Sequence, residues 1–289
     1  MGAASQIAAP AIADVERTLE RDLASGTPEL PSFPEVALRV SRALGDDDIE
    51  IDSIVRLVSA EPSLAVRLLQ LANSAALNAS AKHVISLRAA IARVGFNTAR
   101  TATIAFALSQ MQRATAWEGL AGRLRVLWEE SAGIGALAYV IARRWTKLDA
   151  DQALLAGMLH AMGKLFVLTR AAAVPGLIDD AERYAPLEAA WHRRAAHALL
   201  ARWDLAAATI AAAADFTEAH VARDGPADLS DVLFAAHQLS KLEVPDGLKS
   251  TDAFGSAPFR RLGLDAAACA EALVQSTDNL SSLRAALVD

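Results

Sequence analysis

The sequence of 289 residues predicts an all-α protein. Apolar residues recur with helical spacing in almost every segment, and no convincing run of alternating β-branched residues indicates a strand. Hydrophobic residues make up 53% of the chain and charged residues 21%, which is typical of a globular protein with an ample buried core. Glycine, proline and small polar residues separate the periodic segments and supply helix starts and stops.

The first part of the chain is predicted to form short helices. The first carries an apolar face over residues 12–23 and ends at Gly26. A second ends at Gly45, another begins at Pro62, and Ser86 caps the helix LRAAIARV. We expect the first helix to pack on its own domain, and an arm that docks elsewhere or dimerises is the alternative.

From about Trp117 the predicted helices are longer. The first has the sequence RLRVLWEESAGIGALAYVIARRW, and Asp149 caps the next, ADQALLAGMLHAMGKLFVLTR. PLEAAWHRRAAHALLARW forms a third. The loop RDGPADLS then precedes a final group of helices that starts at about Asp228. The chain contains no repeat of fixed period.

Charge and cysteine content exclude several classes of protein. A net charge of -6 argues against a protein that binds nucleic acid or anionic lipid. The single cysteine, Cys269, excludes an intrachain disulfide and a cysteine-rich zinc cluster. The N-terminus lacks the pattern of a signal peptide, and His160 and Lys164 interrupt the most apolar stretch. We therefore expect a soluble cytoplasmic protein with neither a nucleic-acid nor a membrane partner.

Several phrases occur in an order typical of one bacterial family. They are LPSFPEVALRV (30–40), EPSLAVRLLQLANSA (61–75), ISLRAAIARVGFNTARTATIAFAL (85–108), LLAGMLHAMGKLFVL (154–168) and HRRAAHALLARWDL (192–205). Together they resemble the HDOD family, the HD-related output domains of bacterial signalling proteins. The resemblance covers residues 28–220.

The resemblance implies an all-helical fold with two sub-bundles. Residues 28–115 are expected to form an N-terminal sub-bundle that packs on an HD-like sub-bundle over residues 116–220. Residues 1–27 precede them as a helical arm, and residues 221–289 follow as an accessory helical segment. Members of the family usually act as regulatory or output modules.

The resemblance also implies a damaged metal site. HD phosphohydrolases hold metal ions with histidines and an aspartate, and the metal activates water. Here Glu130 stands at the first motif histidine and His160 at the second. Ala161 stands where the carboxylate partner would be. His192 matches a later histidine of the motif.

Further along the chain, Phe216 and Thr217 stand where relatives can carry a pair of histidines. His192 and His197 are five residues apart, so on a regular helix they cannot readily bind one ion together. Packing or surface exposure is the plainer interpretation of that pair.

A weaker site remains an alternative. Its ligands would be Glu130, His160, His192 and either Asp215 or His197, residue types that suit iron, manganese or zinc. The plainer interpretation makes His160 a core histidine that donates to a backbone carbonyl. In that interpretation Glu130 faces water or pairs with an arginine.

Basic side chains suggest a second kind of site. Lys164 follows His160 by four residues and could bind a phosphate or reach solvent. Arg88, Arg93 and Arg100 could form a basic strip for an acidic partner or a nucleotide phosphate. A groove between the sub-bundles would hold such a ligand or partner, and solvated helix faces are the alternative.

Three functions are consistent with these features. We favour a non-catalytic signalling module that contacts a partner protein in trans, with no cofactor and no enzymatic activity. A residual metal-dependent phosphohydrolase or phosphodiesterase acting on a nucleotide is the second hypothesis. A receptor for a cyclic dinucleotide or another small ligand is the third. The sequence leaves the partner, the signal and a possible homodimer open.

Overall fold

A computed structural model describes most of the chain. The described residues are 9–26, 30, 35–46, 48–74, 83–113, 119–203, 205–220, 225–242 and 255–287. Within these ranges every regular element is a helix and no strand occurs, which confirms the all-α prediction. The predicted segment boundaries, 27/28, 115/116 and 220/221, fall at or beside residues outside these ranges. The exact boundaries therefore stay predictions.

Within the described ranges, the first part of the chain forms six α-helices. They are α1 (Ala9–Ala24), α2 (Glu35–Ala43), α3 (Ile51–Ser59), α4 (Pro62–Asn73), α5 (Leu87–Val94) and α6 (Phe96–Arg113). Helices α2–α6 pack on one another and make the N-terminal sub-bundle. Helix α1 packs instead on α9 and α10 of the second bundle. There Arg170 donates to Asp22 over 3.1 Å, so the first helix packs on its own chain as expected.

The described residues after 119 form eight further α-helices. They are α7 (Ala121–Trp145), α8 (Ala150–Leu159), α9 (Met162–Ala171), α10 (Ala181–Leu200), α11 (Ala207–Asp215), α12 (Leu229–Ser240), α13 (Ala257–Leu262) and α14 (Ala266–Leu287). Helices α7–α12 make the HD-like bundle, and α12 packs against α7, α8 and α11. Helix α14 lies along α7 and reaches α4 and α6, so it contacts both bundles.

Helix ends follow the predicted capping residues. The Ser86 hydroxyl accepts the amide of Ala89 at the start of α5. The Asp149 carboxylate accepts the amides of Asp151 and Gln152 at the start of α8. These bonds satisfy amide groups that have no partner within the helix.

The segment predicted as one helix from residue 150 to 170 is two. Helix α8 ends at Leu159, His160 and Ala161 form a turn, and α9 begins at Met162. The His160 ring bonds the carbonyl of Gly157, the group that the amide of Ala161 would bond in a continuous helix. Ala150–Ala171 is also apolar and long enough to span a membrane by length and composition, and most of it is buried inside the protein.

Glycines allow the closest helix crossings. A Cβ atom on Gly157 of α8 would lie 2.5 Å from Cα of Gly135 in α7, nearer than real Cβ atoms approach. A Cβ atom on Gly163 of α9 would lie 1.8 Å from the carbonyl oxygen of His192 in α10. The backbones of α7 and α8, and of α9 and α10, therefore approach at distances that a side chain would prevent.

Polar contacts join the two bundles. Arg100 of α6 donates to the Ser41 hydroxyl and to the Trp203 carbonyl, over 3.2 and 3.1 Å. Arg42 of α2 donates to the Arg202 carbonyl over 3.0 Å. Both carbonyls lie in the short turn of residues 201–203 that follows α10, so the two arginines bond this turn from the neighbouring bundle. We call Arg42 and Arg100 with these carbonyls the arginine latch.

We predict that Gly157→Ala lowers the free energy of unfolding by about 2–3 kcal/mol, because its methyl group must displace the backbone of α7. Gly133→Ala is the matched control, since Gly133 also lies in α7 and a methyl group there would meet no atom within 4 Å. The control should be neutral or more stable by up to about 1 kcal/mol. Urea unfolding of both variants checks this, and equal stability of the two would contradict the close crossing.

Candidate functional site

His160 lies at the end of α8 with only 4% of its surface exposed. Its Nδ1 lies 2.7 Å from the Gly157 carbonyl oxygen, which can only accept, so Nδ1 carries the proton. This confirms the interpretation of His160 as a core histidine that donates to a backbone carbonyl. The opposite nitrogen, Nε2, is buried and has no hydrogen-bond partner among the residues that the structure describes.

Two rings surround His160. The Phe216 ring lies edge-on to it with 5.8 Å between the ring centroids. His237 of α12 lies 6.5 Å from His160 and 4.9 Å from Phe216, again edge-on. We call His160, Phe216 and His237 the ring cluster. Its third member comes from the segment that the sequence placed outside the family resemblance.

The ring cluster favours neutral imidazoles. Burial lowers the pKa of His160, and the nearby Lys164 lowers it further, while the Gly157 carbonyl and Glu130 act in the opposite direction. Burial also lowers the pKa of His237 to about 4, with further contributions from Lys241, His160 and Lys164. Both rings are therefore uncharged at neutral pH.

Glu130 and Ala161 differ in how they relate to His160. Glu130 is half-buried on α7 and acts on His160 through its charge, without a hydrogen bond between them. Ala161, which is 2% exposed, lines a small cavity. The other residues around this cavity are Leu108, Leu124, Leu127, Trp128, Ser131, Met158, Met162 and Leu165. The position of the missing carboxylate thus faces an almost entirely apolar space.

The remaining candidate ligands do not join the ring cluster. The Nδ1 atom of His192 bonds the Glu188 carbonyl one turn earlier in α10, over 2.9 Å. His197 bonds the Asp215 carboxylate over 2.7 Å, and Arg193 bonds the same carboxylate over 3.0 Å. Asp215 therefore belongs to a surface network between α10 and α11.

These residues do not fit a resident metal ion. His160 has the arrangement of a ligand, with Nδ1 donating to a carbonyl, and His192, whose Nδ1 also bonds a carbonyl, does not join it in the ring cluster. In the described part of the chain, no three histidine, cysteine, aspartate or glutamate side chains are placed to hold a metal together. Lys164 and Lys241 lie near the two imidazoles, and their charges would repel a cation.

The basic residues are separated in the fold. Arg88 pairs with Asp52 on the surface of the N-terminal sub-bundle. Arg93 donates to the Ala72 carbonyl over 3.3 Å, and Arg100 belongs to the arginine latch. Lys164 lies on α9, near the ring cluster, where it acts on the pKa of both imidazoles. The three arginines therefore have different partners within the protein. A phosphate-binding strip formed by these four basic residues stays a prediction.

Sequence reasoning missed His237. The residue lies in α12, one turn before the end of a helix with no obvious motif. The available signal was a lone histidine within an apolar helix, FAAHQLS, and that pattern is equally typical of a packed core. Only the packing of α12 against α7 and α8 places it beside His160.

The HDOD domain family model matches residues 30–218. The chain belongs to the HDOD family. This confirms the resemblance found in the sequence. A curated relative from Treponema pallidum (strain Nichols), an uncharacterized protein, is 27% identical over 152 residues. That match covers 51% of this chain and only 28% of the relative.

Solved structures share the HDOD fold. A candidate metal-dependent phosphohydrolase from Shewanella amazonensis SB2B superposes with a TM-score of 0.71 at 21% identity, covering 96% of this chain and 99% of its own. An HDOD protein of unknown function from Geobacter sulfurreducens gives 0.64 at 22% identity, with coverage of 94% and 97%. A candidate signal transduction protein from Marinobacter aquaeolei VT8 gives 0.56 at 21% identity, with coverage of 97% and 67%. At these identities the likeness shows the fold alone.

We predict that His237→Gln weakens the loss of stability on acidification. The folded-state pKa of His237, about 4, lies below its ordinary value of 6.5. The unfolded chain therefore binds a proton that the folded chain resists, and stability is lost as the pH falls from 6.5 towards 4. Melting temperatures between pH 7 and pH 5 should fall less in this variant than in the wild type.

The control for this comparison is His83→Gln, because His83 is exposed in the N-terminal sub-bundle. Its melting temperatures should follow the wild-type pH dependence. An identical pH dependence in His237→Gln and the wild type would show that His237 is not held neutral by the ring cluster.

We predict that Ala161→Asp lowers the free energy of unfolding by about 2–4 kcal/mol, because it places a carboxyl group in the apolar cavity. Burial raises the pKa of such a carboxyl group, so the loss should be larger at pH 8 than at pH 5.5. Denaturant unfolding at both pH values measures it. Ala161→Val, which adds an apolar group, should lack the pH dependence, and a fully stable Ala161→Asp that retains metal would contradict this description.

Proposed function

We propose that this HDOD chain is a non-catalytic regulatory module of a bacterial signalling pathway, acting in the cytoplasm through contacts with a partner protein. The observation that carries the proposal is the composition of the ring cluster. One imidazole with the arrangement of a ligand, His160, is enclosed by Phe216 and His237 instead of by further metal ligands.

Hydrolysis by an HD site requires a metal ion that activates water and neutralises phosphate charge. A single imidazole nitrogen without supporting donors is a poor basis for holding such an ion. The cationic side chains of Lys164 and Lys241 weaken it further. A frame that keeps the HDOD fold without these ligands suits recognition better than catalysis, although a fold by itself does not define a function.

The contacts between the bundles support a role in transmitting a signal. Arg42 and Arg100 join the N-terminal sub-bundle to the end of α10, and α14 contacts both bundles. A partner that prefers one relative placement of the bundles would shift their equilibrium, which is the physical content of a regulatory contact. The proposed partner is a protein that binds this chain in trans, and a second copy of the chain is one such partner.

A residual phosphohydrolase is the second candidate. The free Nε2 of His160 favours it, because a metal-binding histidine usually donates its other nitrogen to a carbonyl, as Nδ1 does here. Glu130 and His237 are the nearest groups that could move to complete such a site.

We predict no stoichiometric metal and no nucleotide turnover for this chain. The purified protein is incubated with manganese, iron or zinc, freed of loosely held ions and analysed for metal per chain. Turnover of mononucleotides and cyclic dinucleotides is then compared with that of His160→Ala. A retained metal that disappears in His160→Ala, together with turnover that disappears in the same variant, would favour the phosphohydrolase.

Binding experiments separate the two regulatory hypotheses. Signalling proteins from the same genome are tested pairwise against the chain, and each positive pair is repeated with purified components by calorimetry. A dissociation constant in the micromolar range or below supports the proposal. Calorimetry with a cyclic dinucleotide should give no heat, and saturable heat with no protein partner would favour the small-ligand receptor.

A further inference from the structure

Charge is unevenly distributed along the chain. Residues 62–117 contain no aspartate or glutamate, although the whole chain has a net charge of -6. The arginines of this stretch whose side chains the structure describes lie on α4, α5 and α6 of the N-terminal sub-bundle: Arg67, Arg88, Arg93 and Arg100. We therefore expect a surface built from this stretch to attract acidic groups.

Arg67 differs from the other three in lacking a partner. Arg88 forms an ion pair, Arg93 donates to a backbone carbonyl, and Arg100 belongs to the arginine latch. With the residues that the structure describes, Arg67 forms neither an ion pair nor a hydrogen bond. Its charge is therefore available to a group from outside the chain.

Most of the Arg67 side chain is nevertheless buried. Arg67 is 9% exposed, and its Nη1 atom is enclosed without a hydrogen-bond partner. Nη1 is the one Arg67 nitrogen enclosed in this way, so the rest of the guanidinium reaches the surface. Buried charges are usually paired, because a guanidinium group stays charged and its transfer from water is costly. An arginine in this state is suited to a ligand that supplies the missing anion.

Arg67 lies at the edge of an exposed side of α4. Val66 is 53% exposed, and Gln70, which is also exposed, lies one turn beyond both Val66 and Arg67. On the other side of Arg67, Leu64 and Leu71 are buried. The guanidinium thus lies where the core meets the exposed side of the helix, and a group docked there can reach it.

A second apolar side chain extends this exposed side. Ile85, which precedes α5, is 86% exposed. The Asn73 side chain bonds both the carbonyl and the amide of Val84, each over 2.8 Å, and so holds Ile85 beside the end of α4. Asn73 lies two turns after Val66 on the same side of the helix, so Val66 and Ile85 belong to one region. We call Val66, Arg67, Gln70 and Ile85 the α4 face.

The composition of the α4 face favours a protein segment over a phosphate ligand. Phosphate is typically bound by several converging donors, and Arg88 and Arg93 are engaged within the protein. One unpaired arginine beside two exposed apolar side chains instead matches a carboxylate carried on an apolar helix face.

We propose that the α4 face binds an acidic amphipathic helix of the partner protein, so that this surface rests on the proposed function. A carboxylate of the helix accepts hydrogen bonds from the Arg67 guanidinium. Its apolar side chains lie against Val66 and Ile85, and Gln70 bonds polar groups at the rim.

The test uses a synthetic helical peptide of about 15 residues, with leucine and glutamate on one face, as the probe. The full chain is titrated with it at pH 7.5, and amide chemical shifts are followed by NMR. A peptide with glutamine in place of each glutamate is the matched neutral probe. We expect saturable shifts in α4 and around Ile85, and roughly tenfold weaker binding of the neutral peptide. Inorganic phosphate should give no saturable shifts.

Arg67→Met removes the charge and keeps an unbranched side chain. It should weaken binding of the acidic peptide roughly tenfold or more. Its melting temperature should equal or exceed that of the wild type, because an apolar group replaces an unpaired buried charge. Arg39→Met, at an exposed arginine of α2, is the matched control and should bind the peptide like the wild type. Val66→Ser should weaken binding by removing apolar contact.

Several results would overturn this assignment. A melting temperature of Arg67→Met several degrees below that of the wild type would show that Arg67 serves packing within the chain. Unchanged peptide affinity in Arg67→Met would place the peptide elsewhere, and absent or unsaturable binding would remove the surface. Equal affinity for the neutral peptide would show that charge plays no part. Saturable phosphate binding that is lost in Arg67→Met would identify a small-anion site instead.

Failure of the proposed function gives a different result. A chain that binds the acidic peptide through Arg67 and yet has no partner in the pairwise tests would keep the surface and lose the regulatory role. A partner that binds Arg67→Met as tightly as the wild type would keep the regulatory role and lose the surface.

Discussion

The backbone contact between Gly135 and Gly157 is the constraint on which the arrangement of the site depends. At this crossing α7 and α8 lie closer than any side chain would allow. Glu130 lies five residues before the crossing on α7, and His160 lies three residues after it on α8, so one contact brings both to the same region. A core packed at crystal-like density cannot absorb an extra methyl group there without moving a helix.

The HDOD fold here surrounds its buried histidine mainly with rings. A metal site gathers anionic and neutral donors around a cation. Here the neighbours of His160 are a phenyl ring and a second imidazole, with one anionic group, Glu130, and one cationic group, Lys164, acting on it through their charges. Ala161, which the resemblance aligns with a metal-binding carboxylate, faces an apolar cavity. The surroundings of His160 and Ala161 are therefore those of a packed core.

The junction between the bundles combines firm and incomplete contacts. The arginine latch pairs cationic donors with the carbonyls of Arg202 and Trp203, just beyond the end of α10, which is a stabilising use of both groups. Beside it, a small cavity lies between α6 and α8, with Asn97, Arg100 and Asp151 in its wall. The junction is therefore firmly bonded at one point and incompletely packed next to it.

The sequence by itself determined the features that depend on neighbouring residues. Helical periodicity gave the fold class, Ser86 and Asp149 gave helix starts, and the family phrases gave the HDOD assignment. Even the hydrogen bond from His160 to a carbonyl was foreseeable, because its acceptor, Gly157, lies within the same turn. The motif also located the missing carboxylate at Ala161.

Only the tertiary structure decided which distant residues meet. His237 is 77 positions after His160 in the chain, and no local pattern indicates that α12 returns to α8. The same holds for Arg100 and the Trp203 carbonyl, which meet because the two bundles dock. Helix formation depends on interactions over about four residues, whereas docking depends on shape and charge across whole surfaces. The surroundings of His160 are therefore set by packing, which a single sequence does not display.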